Sequence, residues 1–474
     1  MNHYRSLFVG LDTLTPLLDG SQTVYTNLDN AASTPALRAA QESVNAFLNY
    51  YSSVHRGMGF KSQVSTHAYE SARAVVMDFV GADPQQDVCV FGKNTTEAIN
   101  KLASRFPFPP GRDVVLVSRM EHHSNDLPWR AAANVVYVGL APDGSLDEAD
   151  FDACLERYQG RVALVAVTGG SNVSGYINPI YRLAEKAHRA GAQILVDCAQ
   201  LAPHRKVDML PAGDPRHLDY VTLSAHKLYA PFGTGALVGR RETFEQGEPE
   251  YRGGGQVDIV TLEQVVWSTP PEREEAGSPN TVGAVALAAA ARQLQAIGME
   301  RVAAHEAELT AYALPRLHKV PGLHVYGDPD PARAANRLGV IPLEMEGVPH
   351  FLLSAILSYE FGIGVRNGCF CAHPYILHLL HIEGDQAQRV RQSILEGDRR
   401  EVPGLVRVSF GLYNSTDEID ALVDALERIR RGEYRGEYLQ DPASGDFIPR
   451  GWQVDYGAFF AVDQFVRGIA PLSL

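Results

Sequence analysis

At 474 residues, with 45% hydrophobic and 21% charged side chains, the chain is long enough for two cores rather than one. Its formal charge of -14 argues against nucleic acid or anionic membrane as the main partner, since both select a basic face. A soluble metabolic enzyme suits this balance.

The N-terminal stretch "MNHYRSLFVGLDTLTP" meets Asp12 before a signal-like apolar core can form, so no export is expected. From about residue 85 to 240, short apolar runs alternate with helix-length segments. "DVVLVS", "NVVYVGL", "VALVAV", "AQILVD" and "DYVTLS" are apolar throughout, as strands covered on both faces must be. "PIYRLAEKAHRAG" reads as a helix closed by a capping glycine. The alternation predicts an α/β fold, a mostly parallel sheet flanked by helices.

The run "VGAVALAAAA", Val282 to Ala291, is shorter than the ~20 residues that span a bilayer and leads into Arg292, so it reads as a buried helix. Beyond about residue 300 come strands "HVYG", "LGVIPLEM" and "GLVRVSFGL", then "STDEIDALVDALERIRRG", where Ser415 and Glu418 have capping-box spacing. This predicts a smaller C-terminal α+β domain. The expected division is 1–300 for an N-terminal segment and large domain, 301–432 for the small domain and 433–474 for an extension. The extension, with "GWQVDYGAFFAVDQF", is expected to wrap the body or a partner subunit. Five cysteines (Cys89, Cys154, Cys198, Cys369 and Cys371) form an odd, sparse set that suits a reducing cytoplasm.

Ligands of open α/β sheets sit at the carboxyl ends of the strands, so residues there are compared together. "FGKNTTEAIN" opens a helix with Asn94 and Glu97 at cap spacing and Thr95 and Thr96 in its first turn, an arrangement that either is simply capped or binds a phosphate. "VTGGSNVSG" and "VDCAQLAPH" place Asn172, Asp197 and Gln200 near strand ends, and an acidic residue there is costly without a partner. "LSAHK" closes the next strand with Ser224, His226 and Lys227. An anion-binding helix start, a buried carboxylate and a lysine at neighbouring strand tips match pyridoxal phosphate.

Eight segments in order strengthen that match: "LDNAASTP", "SSVHRGMG", "MEHHSNDLPW", "VDCAQLAPH", "SAHKLYAPFGTGAL", "EAGSPNT", "RNGCFCAHP" and "VRVSFGLYN". With them the chain resembles the class V aminotransferases, in particular the cysteine desulfurase and selenocysteine lyase branch, over roughly residues 24 to 432. The resemblance implies a fold type I pyridoxal-phosphate transferase. It implies that Lys227 forms the Schiff base and later moves a proton, that Asp197 pairs with the pyridinium nitrogen, that Gln200 and Asn172 bond the ring oxygen and that His122 stacks on the ring. Thr96, Ser224 and His226, with Thr95, would hold the phosphate, and Ser278 would reach it from the second subunit of a homodimer. Arg407 would clamp the substrate carboxylate, assisted by Arg366, with Ala31, His55 and Arg56 also facing the substrate. The small residues after Lys227 are expected to leave room for an aldehyde beside the amine.

Cys371 matches the persulfide-forming cysteine of the desulfurases, so the resemblance implies removal of sulfur or selenium from L-cysteine or selenocysteine, giving alanine and an enzyme persulfide for an acceptor protein or cofactor. Cys369 departs from that pattern. "GCFC", "VRVSFG" and the insert "HIEGDQAQRVRQSILEGDRREVPG" are similar to the desulfurase domain of molybdenum cofactor sulfurases. Three readings of Cys369 compete: a packing residue, a persulfide relay, or a metal clip with His373, which lacks a fourth ligand. No metal is expected. Rival readings keep the cofactor but make the enzyme an epimerase, C–S lyase or aminotransferase, or make the chain a scaffold with little turnover.

Overall fold

The computed structural model describes residues 3–466, so residues 1–2 of the expected large domain and 467–474 of the expected extension lie outside the described residues. Seven strands form the central sheet: β1 (Asp87–Gly92), β2 (Val114–Ser118), β3 (Asn134–Val138), β4 (Val162–Thr168), β5 (Gln193–Asp197), β6 (Tyr220–Ser224) and β7 (Gly235–Arg240). Their order in space is 1-7-6-5-4-2-3. The five apolar runs become β2 to β6, all parallel to their neighbours within that set. β7 runs antiparallel to both β6 and β1.

Alternate residues of the strands feed two cores. Val115, Val117, Leu164, Leu195 and Leu237 pack with Ile99 and Leu102 of α2 (Thr95–Arg105), whereas Leu116, Val165, Ile194, Val221 and Val238 join the core that includes α1 (Phe60–Phe79), α3 (Ile180–Arg189) and α4 (Thr281–Ile297). With helices on both faces, the middle positions of the strands are mostly apolar, and the polar residues gather towards the strand ends. The run 282–291 is inside α4 and largely buried. Among the described residues no single helix is long and apolar enough to cross a membrane.

At Gly298, whose φ of +93° suits glycine, the chain bends by 78° from α4 into α5 (Met299–Leu317). Beyond the bend, β8 (Leu323–Val325), β9 (Val340–Met345), β10 (Arg366–Gly368) and β11 (Leu405–Ser409) form an antiparallel sheet of order 8-9-11-10. It packs with α5, α6 (His350–Phe361) and α8 (Thr416–Arg430) around Leu309, Ile341, Leu353, Val406 and Leu422. The Ser415 and Glu418 box caps α8 as its spacing predicts. One residue from the start of the chain, Leu28, is buried in this second core, because Thr26–Asn27 pairs in parallel with Ile363–Gly364. After α8 the chain folds back on itself: Glu360 of α6 accepts hydrogen bonds from the main chain of Arg435 and Gly436 and from Tyr438 Oη.

A polar knot fastens the far edge of the large core. Buried Asp219 receives His188 Nε2 at 2.8 Å, His217 Nε2 at 3.1 Å, Arg240 Nη1 at 3.0 Å and the Ile194 N–H at 2.8 Å. Each imidazole also has a carbonyl oxygen at Nδ1, from Pro215 and Asp214, so every ring nitrogen faces an acceptor. Acceptors on both sides suit imidazolium at His188, and Arg240 adds a further cation at the carboxylate. Burial opposes charge on His188, but the Asp219 hydrogen bond and field outweigh it and raise its pKa. A raised pKa means that this stabilisation is fully present below the ordinary imidazole value of about 6.5 and fades as pH rises through the folded value. The stability gap between the wild type and His188→Gln, read from urea midpoints, is therefore expected to be widest in mild acid and to narrow above neutrality. A gap independent of pH would contradict this.

Candidate active site

A cavity of about 480 Å³ opens at the carboxyl ends of β1, β2, β4, β5 and β6. Thirteen of the residues expected there line it, from Ala31, Thr95, Thr96 and His122 through Asn172, Asp197, Gln200, Ser224, His226 and Lys227 to Arg366, Cys371 and Arg407. His55, Arg56 and Ser278 do not. His55 turns to Glu70 at 3.1 Å, Arg56 donates to the Val257 carbonyl, and Ser278 lies exposed. A single chain therefore does not bring these three to the cavity.

One end of the cavity is formed by the start of α2. Asn94 caps α2 by accepting the Glu97 N–H at 3.0 Å, while the Glu97 side chain takes the Lys93 N–H. Ser224 Oγ accepts the Thr95 N–H at 3.0 Å, which leaves the Ser224 hydroxyl proton free to donate. Thr96 Oγ1 pairs with Ser124 Oγ at 2.7 Å. Gly235 explains how the turn reaches this place. A Cβ there would lie 2.5 Å from Asn94 Cα and 2.6 Å from the Leu223 oxygen, so the missing side chain lets the α2 start press against β7. That glycine makes room for main chain, not for the aldehyde that the sequence reading placed beside the amine.

At the centre, burial pulls the Lys227 ammonium down to about 8, with Asp197 opposing and Arg407 reinforcing. Asp197 is 5% exposed and burial raises its pKa. Among the described residues it accepts the Ala199 N–H at 2.9 Å, and no cation lies within ion-pair distance. His122 Nδ1 accepts the Ser124 N–H at 3.1 Å, so its proton belongs on Nε2. Burial, followed by Lys227, lowers its pKa to about 3 and keeps the ring neutral. Behind it, Glu121 accepts from Thr168 N–H at 2.9 Å and Asn125 Nδ2 at 2.8 Å, joining the ends of β2 and β4. Burial pushes this carboxyl up to about 8.

The other end carries two arginines. Arg366 on β10 and Arg407 on β11 are direct cross-strand partners, an arrangement that repels unless an anion sits between. Asp29 supplies it, 3.1 Å from Arg407 Nη2 and 3.5 Å from Arg366 Nε. Arg407 also donates to the Asn172 carbonyl at 2.9 Å, is 2% exposed, and keeps Nε buried without a hydrogen-bond partner among the described residues. Asp29 belongs to a segment already singled out in the sequence, but its role there was missed.

Between these ends hangs the cysteine loop. Phe370 and Cys371 both have left-handed φ, +51° and +55°. Asn172 Nδ2 donates to the Phe370 carbonyl at 2.8 Å, so one of its two amide protons is engaged with this loop. Cys371 is exposed, whereas Cys89, Cys154, Cys198 and Cys369 are buried. Cys369 Sγ donates to the Pro403 carbonyl at 2.9 Å, and burial, then Cys371, pushes its thiol up to about 12. This favours the packing reading of Cys369 over a relay.

The fold and cavity define an α/β enzyme in which a lysine amine, a buried carboxylate and a hydroxyl-rich helix start share the strand ends. Residues 26–422 match the aminotransferase class-V family model, and the chain belongs to that family. It is 37% identical over 424 residues to a probable cysteine desulfurase of Halobacterium salinarum, covering 87% of this chain and 92% of that one. It is 36% identical over 424 residues to a cysteine desulfurase of Dickeya dadantii, covering 87% and 93%. The fold is similar to the apo structure of a cysteine desulfurase from Thermococcus onnurineus, with a TM-score of 0.74, 31% identity and coverage of 86% and 95%.

Pyridoxal phosphate, the cofactor of this family, fits the cavity by what the cavity leaves unsatisfied. Among the described residues Thr95 Oγ1 is buried without a hydrogen-bond partner, and Asp197 is a buried carboxylate without a cation in ion-pair distance. A polar ligand carrying a phosphate and a protonated ring nitrogen would answer both deficits, the phosphate accepting from the threonine hydroxyl and the ring N–H meeting the carboxylate.

Proposed function

We propose that this enzyme is a cysteine desulfurase that removes sulfur, or selenium, from L-cysteine or selenocysteine, leaving alanine and a persulfide on Cys371. The observation that carries the reading is the exposed Cys371 thiol in one cavity with Lys227 and Arg407. Thr95, Thr96, Ser224 and His226 would hold the cofactor phosphate, Asp197 its ring nitrogen, Gln200 and Asn172 its ring oxygen and His122 its ring face. When bound, the cofactor supplies an electron sink for the substrate's α-carbon.

The chain's own groups do the rest. Arg407, with Arg366 beside it, binds the substrate carboxylate through a planar fork of donors. Lys227 Nζ, with its pKa near 8, can take the Cα proton and give one back near neutral pH. Asp197 keeps a proton on the ring nitrogen by electrostatic pairing. Cys371 Sγ, as thiolate, bonds to the substrate sulfur. The Cβ–S bond then breaks, its electron pair stays on the three-carbon skeleton, and a proton taken up at Cβ completes alanine.

The same reading makes the protein a cytoplasmic homodimer that passes sulfur to an acceptor protein or cofactor. Exposed apolar side chains support a second copy: Tyr50, Tyr51, Met58 and Phe60 lie open, as do Ile259, Val260 and Leu262 of the hairpin 257–267. In such a dimer Ser278, His55 and Arg56 would serve the neighbouring site. The division at 300–301 and 432–433 belongs to this proposal too, supported by the bend at Gly298. Incubation with L-cysteine is expected to yield alanine and an intact-mass gain of about 32 Da for one sulfur on Cys371. Neither alanine nor an adduct from cofactor-loaded protein would sink the proposal.

A further inference from the structure

The Cys371 loop needs something to hold it. Two successive non-glycine residues in the left-handed region cost about 1–2 kcal/mol each, so the loop keeps this shape only under restraint. One residue on the opposite side of the cleft grips it twice. The His123 main-chain N–H donates to the Cys371 carbonyl at 2.7 Å. The same residue's side-chain Nε2 accepts the His373 N–H at 3.3 Å, at the start of α7 (His373–Leu379), and faces His373 Nδ1 at 3.1 Å. The two rings are parallel within 3°, with centroids 5.0 Å apart.

His123 therefore touches the chain on both sides of Ala372. Two donors at Nε2 require a lone pair there, so His123 is neutral with its proton on Nδ1, and the His373 ring donates. Burial lowers the pKa of both rings, in keeping with two neutral imidazoles. Adjacent histidines thus divide the work: His122 lines the cavity, and His123 grips the loop.

We infer that His123 is a positioning residue for the nucleophile, with the His123–His373 contact clasping the Cys371 loop in its left-handed shape at the mouth of the cavity. This rests on the reading of Cys371 as the sulfur acceptor. A misplacement of about 1 Å at a reacting atom can cost roughly 10²-fold in rate, which is the scale expected on loss of the clasp.

The test compares His123→Ala, His123→Gln and His373→Ala in the cofactor-loaded protein. Two quantities are read: kcat and KM with L-cysteine, and the alkylation rate of Cys371 by iodoacetamide. With the other four cysteines buried, Cys371 is the thiol open to the reagent. His123→Ala is expected to lower kcat by about 10²-fold with KM within about twofold, and to speed alkylation as the loop loosens. His123→Gln, whose amide oxygen can replace Nε2 as acceptor, is expected to restore most of both. His373→Ala, which keeps the main-chain N–H, is expected to give an intermediate effect. Unchanged kcat and alkylation in His123→Ala would overturn the inference. So would a fall in kcat without faster alkylation and without rescue by glutamine, which would mark a general disturbance of the fold. If L-cysteine is not the substrate, the alkylation rates alone still report on the clasp.

Discussion

Lys227→Ala is expected to retain no covalently bound pyridoxal phosphate after borohydride reduction and to lose alanine formation by roughly 10³-fold or more, the scale on which removal of a covalent catalytic group acts. The basis is geometric and electrostatic. Lys227 lines the cavity beside Asp197 and Arg407, and burial pulls its ammonium down to about 8, so free amine is available near neutral pH. Among the described residues no other side chain lining the cavity offers an amine, since Arg366 and Arg407 carry guanidinium groups. Label recovered on another residue, or alanine formed at the wild-type rate, would remove Lys227 from the centre of the chemistry.

Cys371→Ala separates the cofactor from the sulfur transfer. The cofactor absorbance is expected to survive, because Cys371 sits on the loop and not among the groups at the anion or ring-nitrogen end. Alanine formation from L-cysteine is expected to fall by on the order of 10²-fold or more, and the mass gain to vanish. Cys369→Ala should behave differently. Its thiol is committed to the Pro403 carbonyl and held near 12, so near wild-type turnover is expected. Equal losses in both variants would restore the relay reading of Cys369, and unchanged turnover in Cys371→Ala would shift the enzyme to the epimerase, lyase or aminotransferase alternatives.

Local pattern and strand ends made much of this legible. The runs that became β2 to β6 were apolar enough to read, and Asn172, Asp197, Ser224 and Lys227 followed from sitting at their ends. β7 was harder, since "GALVGR" carries two glycines that weaken a strand signal, yet Gly235 is what admits the α2 start. Contacts between distant parts of the chain left no trace of that kind. Asp29 meets Arg407 across 378 positions, and the His123–His373 contact spans 250. Glu121 stands next to a histidine that the sequence singled out, but its role depends on the Thr168 amide of a neighbouring strand. His55, Arg56 and Ser278 were read from the family pattern, and the single chain leaves them away from the cavity.

Asp29 balancing Arg366 and Arg407 has a bearing on how the protein comes into being. A growing polypeptide that has not yet reached residue 407 holds the acidic member of this trio near its beginning and lacks its strongest counterpart. If these arginines clamp the substrate carboxylate as proposed, substrate recognition is withheld until synthesis has passed β11 and the two remote stretches have met. On that reading the ability to grip an amino acid arises late in biogenesis, as a property of the nearly finished chain.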